Sequence, residues 1–211
     1  MNTATLMDGR AHGVARRDAA VGTGLWLFMV AATALFSLFI AAYVMRMDSS
    51  DWSVIGMPWQ LWLSTVLLVA GSVALQQAAI AARHMDWDQV RTTFLASGAF
   101  ALAFLVVQLW AWNVLLAMRV MPVGNPAGSF FYLLTTIHGL HVAGGLVGWG
   151  VTARLVWSGE PPRDLVQSAH VARLVALCAR YWHFLLMVWL VLFSTLSGLT
   201  PDLVAYICGT R

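Results

Sequence analysis

Five long apolar segments constrain the fold of this chain more than any other feature of its sequence. No Asp, Glu or Arg lies in the middle of any of them, and they cover about residues 24–45, 59–82, 94–118, 130–153 and 181–207. A helix needs about 20 apolar residues to cross the hydrocarbon core of a bilayer. Helices also satisfy their own backbone hydrogen bonds in lipid. The sequence therefore predicts an all-α integral membrane protein with five transmembrane helices in one bundle.

The composition supports a membrane protein rather than a large soluble core. Only 10% of the 211 residues are charged, whereas soluble domains carry about 25%. The mean hydropathy is +0.76. All twelve basic residues are arginines, and they are scattered rather than clustered in a basic run. The positive net charge therefore favours lipid headgroups as partners, and no nucleic-acid partner is expected.

The arginines also predict how the bundle is oriented in the membrane. Nine of them fall in the N-terminal segment and in the loops 83–93 and 154–180, and three fall on the other side. Positively charged loops stay in the cytoplasm. We therefore expect a cytoplasmic N-terminal tail (1–23), a single transmembrane domain (24–207) and a short periplasmic C-terminal tail (208–211).

Two histidines in the fourth apolar segment are candidate site residues. His138 and His141 lie three residues apart and so share a helix face, which Gly145 and Gly148 continue. Small residues let membrane helices approach closely, which makes this face a packing seam. Hydrogen bonding between helices is the preferred interpretation, and a haem or metal ligand role is the alternative. Two histidines so close on one helix cannot lie on both sides of a haem.

The fifth apolar segment opens with a polar and aromatic cluster. Arg180, Tyr181, Trp182 and His183 are consecutive at its predicted cytoplasmic end. Tyr and Trp are enriched at membrane interfaces, so we interpret the cluster as an interfacial anchor. A proton relay through His183 is the alternative, because ionisable groups inside membranes are often functional. A relay needs partners, and no carboxylate lies in the middle of any span.

The sequence contains no motif with which the chain could catalyse a reaction by itself. It has no Walker loop, no Gly-x-Ser-x-Gly, no His-Glu-x-x-His and no pair of acidic residues in the membrane. Such motifs carry the phosphate, nucleophile and zinc chemistry of many enzymes. No catalytic residue, metal site or cofactor site is therefore predicted in this chain.

Three stretches of the chain carry a family resemblance. FFYLLTTIHGLHVAGGLVGW (130–149) and RYWHFLLMVWLVLF (180–193) resemble the two signature stretches of subunit III of haem–copper oxidases of the cytochrome c oxidase type. GLWLFMVAATALFSLFIAAYVMR (24–46) resembles the first helix that this family shares. The longer members of the family have seven helices, and this chain is similar to the short five-helix bacterial form.

The resemblance implies an accessory subunit of a respiratory terminal oxidase in the bacterial inner membrane. Such a subunit binds no haem or copper, which belong to its partners, and is not catalytic. It packs on subunit I in a complex with subunit II, supports proton entry and holds phospholipid in a cleft. We expect a lipid-filled groove facing the place of the missing helix pair. The residues expected to serve lipid or interhelical contacts are His138, His141, His183, Trp182, Trp189, Tyr181, Arg180 and Trp26.

The chain departs from the family at two positions. Ala32 stands where the family usually has a carboxylate in its first shared helix, and Leu186 stands where an aspartate usually follows the YWHF stretch. Neither side chain can exchange a proton. We therefore expect a structural rather than a proton-conducting subunit, in which His183 ties the cytoplasmic end of the fifth helix to a neighbouring helix or to lipid.

Other functions are compatible with the sequence alone. Accessory chains of quinol oxidases and nitric-oxide reductases look similar, and the sequence does not name the electron donor. A free-standing membrane transporter is a different class, although the chain shows no internal repeat of the kind that transporters use. A membrane cytochrome is a third class, and it would require a haem bound to this chain.

Overall fold

The computed structural model describes residues 3–47, 49–157 and 165–199, with side chains from Ala20 onward. It contains five α-helices in these regions, namely α1 (Thr3–Arg46), α2 (Gln60–Arg83), α3 (Trp87–Ala117), α4 (Pro126–Trp157) and α5 (Leu165–Gly198). All five are long and apolar enough to cross a membrane. The predicted all-α fold with five transmembrane helices is confirmed.

The last helix begins earlier than the sequence pattern predicted. α5 starts at Leu165, not at residue 181, and continues without a break to Gly198. The reason is that no Pro or Gly interrupts this stretch, and its buried residues keep a helical spacing from the start: Ser168, Val171, Val175 and Ala179. The predicted continuation from 200 to 207 and the tail 208–211 lie outside the described residues.

The first helix also extends beyond its predicted span. α1 begins at Thr3, so helical backbone continues into the segment 1–23. Its membrane-spanning part covers Ala20–Arg46. Within that part the buried side chains form one narrow stripe, comprising Met29, Ala32, Phe36 and Tyr43. α1 therefore lies at the rim of the bundle, where this stripe packs against α4 and α5.

The helices α2 and α3 form an antiparallel hairpin, and their contact is the most extensive in the bundle. The turn between them is tight because Met85 adopts a positive φ of 59°. Asp86 then caps α3, since its carboxylate accepts a hydrogen bond from the backbone N–H of Gln89 at 3.1 Å. The hairpin packs against α5 and α4 around fully buried residues that include Leu68, Leu75, Phe94, Phe104 and Leu185.

One asparagine joins the two loops at the opposite end of the hairpin. Asn125 accepts a hydrogen bond from the N–H of Ala127 at 3.1 Å, which caps the start of α4 before Pro126. Its amide donates to the carbonyl of Ser53 at 3.1 Å. This contact holds the loop after α1 against the start of α4.

Candidate functional site

The predicted site residues come together where α4 and α5 meet α1 and α2. His183 makes the clearest polar contact between helices. Its Nε2 lies 2.9 Å from Gln76 Oε1, and its Nδ1 lies 2.5 Å from the Ser72 hydroxyl. With the Gln76 oxygen as acceptor, Nε2 donates and Nδ1 accepts from Ser72. One imidazole therefore joins α5 to two successive turns of α2.

This position corrects the expected location of His183. Because α5 begins at Leu165, the ring lies near the middle of the helix and not in its first turn. Ser72 and Gln76 are likewise inside α2 and not at its end. The side chain therefore joins two helices at mid-length of α5, and the helix does not begin at this residue as expected.

Trp189 makes a third hydrogen bond between α5 and α2. Its indole N–H donates to the Thr65 hydroxyl at 2.9 Å, and the side chain is almost fully buried. Thr65 and Ser72 lie about two helical turns apart on α2. His183 and Trp189 have nearly the same separation on α5. The two contacts therefore fix the relative sliding and rotation of the helices.

Tyr181 and Trp182 pack α5 against α4. The Tyr181 hydroxyl donates to the backbone carbonyl of His141 at 3.0 Å. A Cβ atom added at Gly145 would lie 2.8 Å from the Trp182 ring and 2.9 Å from Tyr181, so this glycine is required for the close approach. Trp182 is 1% exposed, so its ring packs in the core of the bundle. Its indole N–H has no acceptor among the described residues.

His141 lies at the boundary between α4 and α1. Its Nδ1 donates to the carbonyl of Ile137 in its own helix at 2.7 Å. The ring packs beside Phe28 and Phe36 of α1, with centroid distances of 5.5 Å and 5.4 Å. The hydrogen bond to its own helix differs from the expected bond to another helix, and the side chains of α1 that pack on the ring offer no polar partner.

His138 is completely buried in an aromatic environment. Rings of three other helices surround it, with centroids 6.4 Å away at Phe36, 5.9 Å at Phe104 and 5.3 Å at Trp189. Neither ring nitrogen has a hydrogen-bond partner among the described residues. The expected interhelical hydrogen bond from His138 is therefore replaced by ring packing.

An apolar cavity of about 700 Å³ opens between α1, α4 and α5. His141 and Tyr181 lie in its wall, together with Leu25 and Phe28 of α1, Gly144 and Gly148 of α4, and Leu174 of α5. Added Cβ atoms at Gly144 and Gly148 would meet nothing within 4 Å. Of the two glycines expected on the packing seam, Gly145 makes the close contact and Gly148 lines open space.

A second cavity, of about 540 Å³, lies on the other side of the contact between α1 and α5. Its wall contains Trp26, Met29 and Val30 of α1 with Arg180 and Phe184 of α5. Arg180 is the only charged residue in this wall among the described residues, and its side chain is exposed. The cavity thus combines an apolar surface with one permanent positive charge.

The two positions that depart from the family pattern are both packed by apolar side chains. Ala32 belongs to the buried stripe of α1, and Leu186 packs partly buried against the core. No group of three His, Cys, Asp or Glu residues that could hold a metal ion occurs in the described part of the chain. The arrangement is therefore one of packing, hydrogen bonding between helices and apolar grooves.

The sequence reasoning missed several residues on which these contacts depend. Two of them are on α2: Ser72 donates a hydrogen bond to His183, and Thr65 accepts one from Trp189. Phe36 and Phe104 enclose His138. Ser and Thr can satisfy their hydroxyl within their own helix, so their type alone did not signal these partners. The matching spacing of Thr65 and Ser72 with Trp189 and His183 was the available signal.

Curated relatives match this chain along most of its length. A cytochrome c oxidase subunit 3 from Synechocystis sp. is 29% identical over 194 residues, which cover 90% of this chain and 80% of the relative. One from Thermostichus vulcanus is 26% identical, covering 84% of this chain and 86% of the relative. The chain is a homologue of cytochrome c oxidase subunit 3. The family resemblance of the two histidine-containing stretches is thereby confirmed.

A further subunit 3 homologue has nearly the same extent as this chain. The probable cytochrome c oxidase subunit 3 of Mycobacterium tuberculosis strain H37Rv is 27% identical, covering 91% of this chain and 94% of the relative. No family model matches the chain. The five spanning helices together with the bacterial homologues make this chain a multi-pass protein of the bacterial inner membrane.

Proposed function

We propose that this chain is the accessory third subunit of a bacterial cytochrome c oxidase, packed on subunit I in a complex that also contains subunit II. The observation that carries the proposal is the homology to cytochrome c oxidase subunit 3 proteins, which spans 84–91% of the chain. The names of these relatives favour a cytochrome c oxidase over a quinol oxidase or a nitric-oxide reductase.

Purification of the tagged chain in mild detergent tests this assignment. We expect two larger membrane subunits to copurify, one with haem and one with a copper-binding domain, and the complex to oxidise cytochrome c. A complex that oxidises only quinol, or that reduces nitric oxide, would replace the cytochrome c assignment. A chain that purifies alone and transports a solute would contradict the proposal altogether.

The proposed role is structural and requires no cofactor in this chain. It is supported by the packing of His138 among aromatic rings and by the hydrogen bonds that His141 and His183 already make. If the chain is removed from the purified complex by stronger detergent, the remaining subunits should keep all of the haem and copper. Loss of a stoichiometric metal or haem with the chain would contradict this role.

The proposed role also excludes proton transfer through the first shared helix. Ala32 is buried in the contact face of α1 and carries no ionisable group, and the only glutamate of the chain is Glu160. A hydrophobic carbodiimide reacts with carboxylates buried in membranes. It should therefore leave no adduct on residues 24–45, and mass spectrometry of the treated chain would reveal any adduct that contradicts this.

We also propose that the two cavities beside α1 hold phospholipid. The larger cavity has a nearly uniform apolar wall that suits acyl chains. The smaller one adds the guanidinium of Arg180 and the indole of Trp26, a combination that suits a phosphate-bearing headgroup near the membrane interface.

Native mass spectrometry of the complex tests the larger cavity. Gly148→Leu should reduce the number of retained lipids, because the new side chain enters space that is empty of protein atoms. Gly139→Leu is the matched control, since it lies on the same helix in open space but outside the cavity wall. Equal lipid retention in the two variants would contradict lipid binding at this place.

The orientation of the bundle remains part of the proposal. We propose a cytoplasmic N-terminus and a periplasmic C-terminus, because nine of the twelve arginines fall on one side of the five spans. A phosphatase reporter fused after Arg211 should be active only in the periplasm. Activity of a cytoplasmic reporter at the same position would reverse the orientation.

A further inference from the structure

Two buried polar side chains in the interior of the bundle have no hydrogen-bond partner among the described residues. They are Gln108 of α3 and His138 of α4, which are 4% and 0% exposed. Both nitrogens of His138 and both polar atoms of the Gln108 amide are unpaired with respect to these residues. Buried polar groups are almost always hydrogen-bonded in proteins, to other residues or to ordered water. Four such atoms in two residues therefore require a partner.

The packing of α3 against α4 places the two side chains at the same depth. The two helices are antiparallel, and Phe104 contacts the ring of His138 with a centroid distance of 5.9 Å. Trp112 donates a hydrogen bond to the Thr135 hydroxyl at 3.2 Å. Gln108 lies one turn of α3 from each of these contacts, about 6 Å along the axis. Its amide is therefore level with the segment from Thr135 to His138.

The surroundings of this pair select the kind of partner it takes. Rings of Phe36, Phe104 and Trp189 pack around His138, so neither an anion nor a cation would find a counter-charge there. No group of three metal-ligating residues occurs in the described part of the chain. A neutral imidazole offers one donor and one acceptor, and an amide offers two donors and an acceptor. Water matches both, because it donates and accepts at once.

A neighbouring glutamine extends the polar layer towards one end of the bundle. Gln60 opens α2 and is 4% exposed, and its Oε1 also has no partner among the described residues. The contact between Trp59 and Trp110, at 5.4 Å between ring centroids, aligns this end of α2 with the turn of α3 that contains Gln108. Unpaired polar atoms of α2, α3 and α4 thus lie at a similar level along the bundle.

We propose that Gln108 and His138 bind ordered water in the interior of the bundle. The water bridges α3 and α4 between the side-chain amide and the imidazole. It stabilises the bundle by completing hydrogen bonds that the surrounding aromatic rings cannot supply. The proposal is independent of the oxidase assignment, since it concerns the folding of this chain in any complex.

A high-resolution cryo-EM map of the purified complex tests the site directly. We expect density for at least one water molecule within hydrogen-bonding distance of both the Gln108 amide and the His138 ring. A direct hydrogen bond between the two side chains, or tight apolar contact with no intervening density, would overturn the proposal. This measurement uses the unaltered protein and does not depend on a variant that folds.

The sign of a stability change provides the second test. If the amide holds water, Gln108→Leu removes a completed hydrogen-bond network and should lower the thermal midpoint of the chain in the complex. If the amide were an unsatisfied buried group, the same substitution would leave the midpoint unchanged or raise it, and the proposal would be wrong. Asn113→Leu is the matched control on α3, because Asn113 is exposed and bonds the backbone of Leu109 in its own helix.

Discussion

α2 and α1 are both long apolar helices, yet the bundle holds them in different ways. In the most apolar stretch of α2, 50% of the residues are buried within the bundle, whereas the figure for the corresponding stretch of α1 is 17%. α2 accepts hydrogen bonds from two side chains of α5, His183 and Trp189, whereas α1 meets α4 and α5 mainly through a stripe of apolar and aromatic residues. Apolar character places both helices in the membrane, but small residues and polar pairs decide which of them is fixed in position.

The difference assigns different consequences to substitutions in the two regions. The interior where α5 meets α2 and α4 should respond through the stability of the bundle, because its side chains are buried and matched in shape. The rim formed by α1 has a cavity on each side and should respond through bound lipid. If substitutions in the interior and at the rim had the same effects on stability and on bound lipid, this division would be wrong.

The largest loss of stability is expected at Trp182. Its ring is 1% exposed. It packs against Gly71 of α2 and Gly145 of α4. Trp182→Ala should leave a large internal cavity and cost about 3–5 kcal/mol of stability. The thermal midpoint of the purified complex measures the effect. Trp26→Ala on α1 is the control, because Trp26 is 57% exposed, and a similar loss there would contradict the division between core and rim.

A smaller loss is expected from Gly145→Ala. The added methyl group would lie 2.8 Å from the Trp182 ring and 2.9 Å from the Tyr181 ring, so α4 and α5 must separate slightly. Overpacking of this kind costs about 1–3 kcal/mol. Gly139→Ala on the same helix meets nothing within 4 Å. Equal thermal midpoints for the two variants would show that the seam does not need the glycine.

The contact of His183 with α2 should contribute less than the packing of the tryptophan. His183→Phe keeps a ring of similar shape but leaves Ser72 and Gln76 without their partner. Hydrogen bonds between membrane helices contribute about 0.6–2 kcal/mol. A double-mutant cycle with Gln76→Leu, read as the thermal midpoint of the complex, measures the coupling directly.

The same variant separates a structural role from proton transfer. In an intact complex, His183→Phe should weaken subunit association or lipid retention while the number of protons pumped per electron stays unchanged. An intact, lipid-replete complex that turned over without pumping would contradict the structural role of His183. Additive effects in the cycle would show instead that the bond to Gln76 contributes nothing.

The sequence predicted the number and type of the helices well, because each span has an uninterrupted apolar length. It placed the apolar span of the fifth helix at about 181–207, whereas the helix itself begins at Leu165. The segment before residue 181 carries Arg173 and Arg180, which lowers its hydropathy, but its buried residues still follow a helical period. Hydropathy measures how a segment partitions into lipid, and it does not report where a helix continues into the polar region.

The candidate site was predictable in composition but not in its contacts. The spacing of His138 and His141 placed both on one face of α4. It could not show that one ring bonds its own helix while the other is enclosed by aromatic rings. Those partners come from α1, α3 and α5, and their positions depend on how the helices are rotated about their axes. That rotation is set by side-chain packing between helices distant in sequence.

The smallest effect is expected in the loop that follows α1. Asp51 lies 3.0 Å from Arg46, and its pKa is lowered, chiefly by a hydrogen bond from the Ser49 side chain, with its backbone N–H and the charge of Arg46 adding to the effect. A lowered folded-state pKa means that the ionised form contributes stability above the ordinary value of 3.8, and that this contribution is lost as the pH falls through the lower folded value. Both side chains are about half exposed, so the contribution is small.

Asp51→Asn should therefore lower the thermal midpoint slightly at neutral pH in low salt. The difference from the unaltered protein should disappear in high salt and below the folded pKa. A difference that persisted in acid would show that Asp51 stabilises the loop by some means other than its charge.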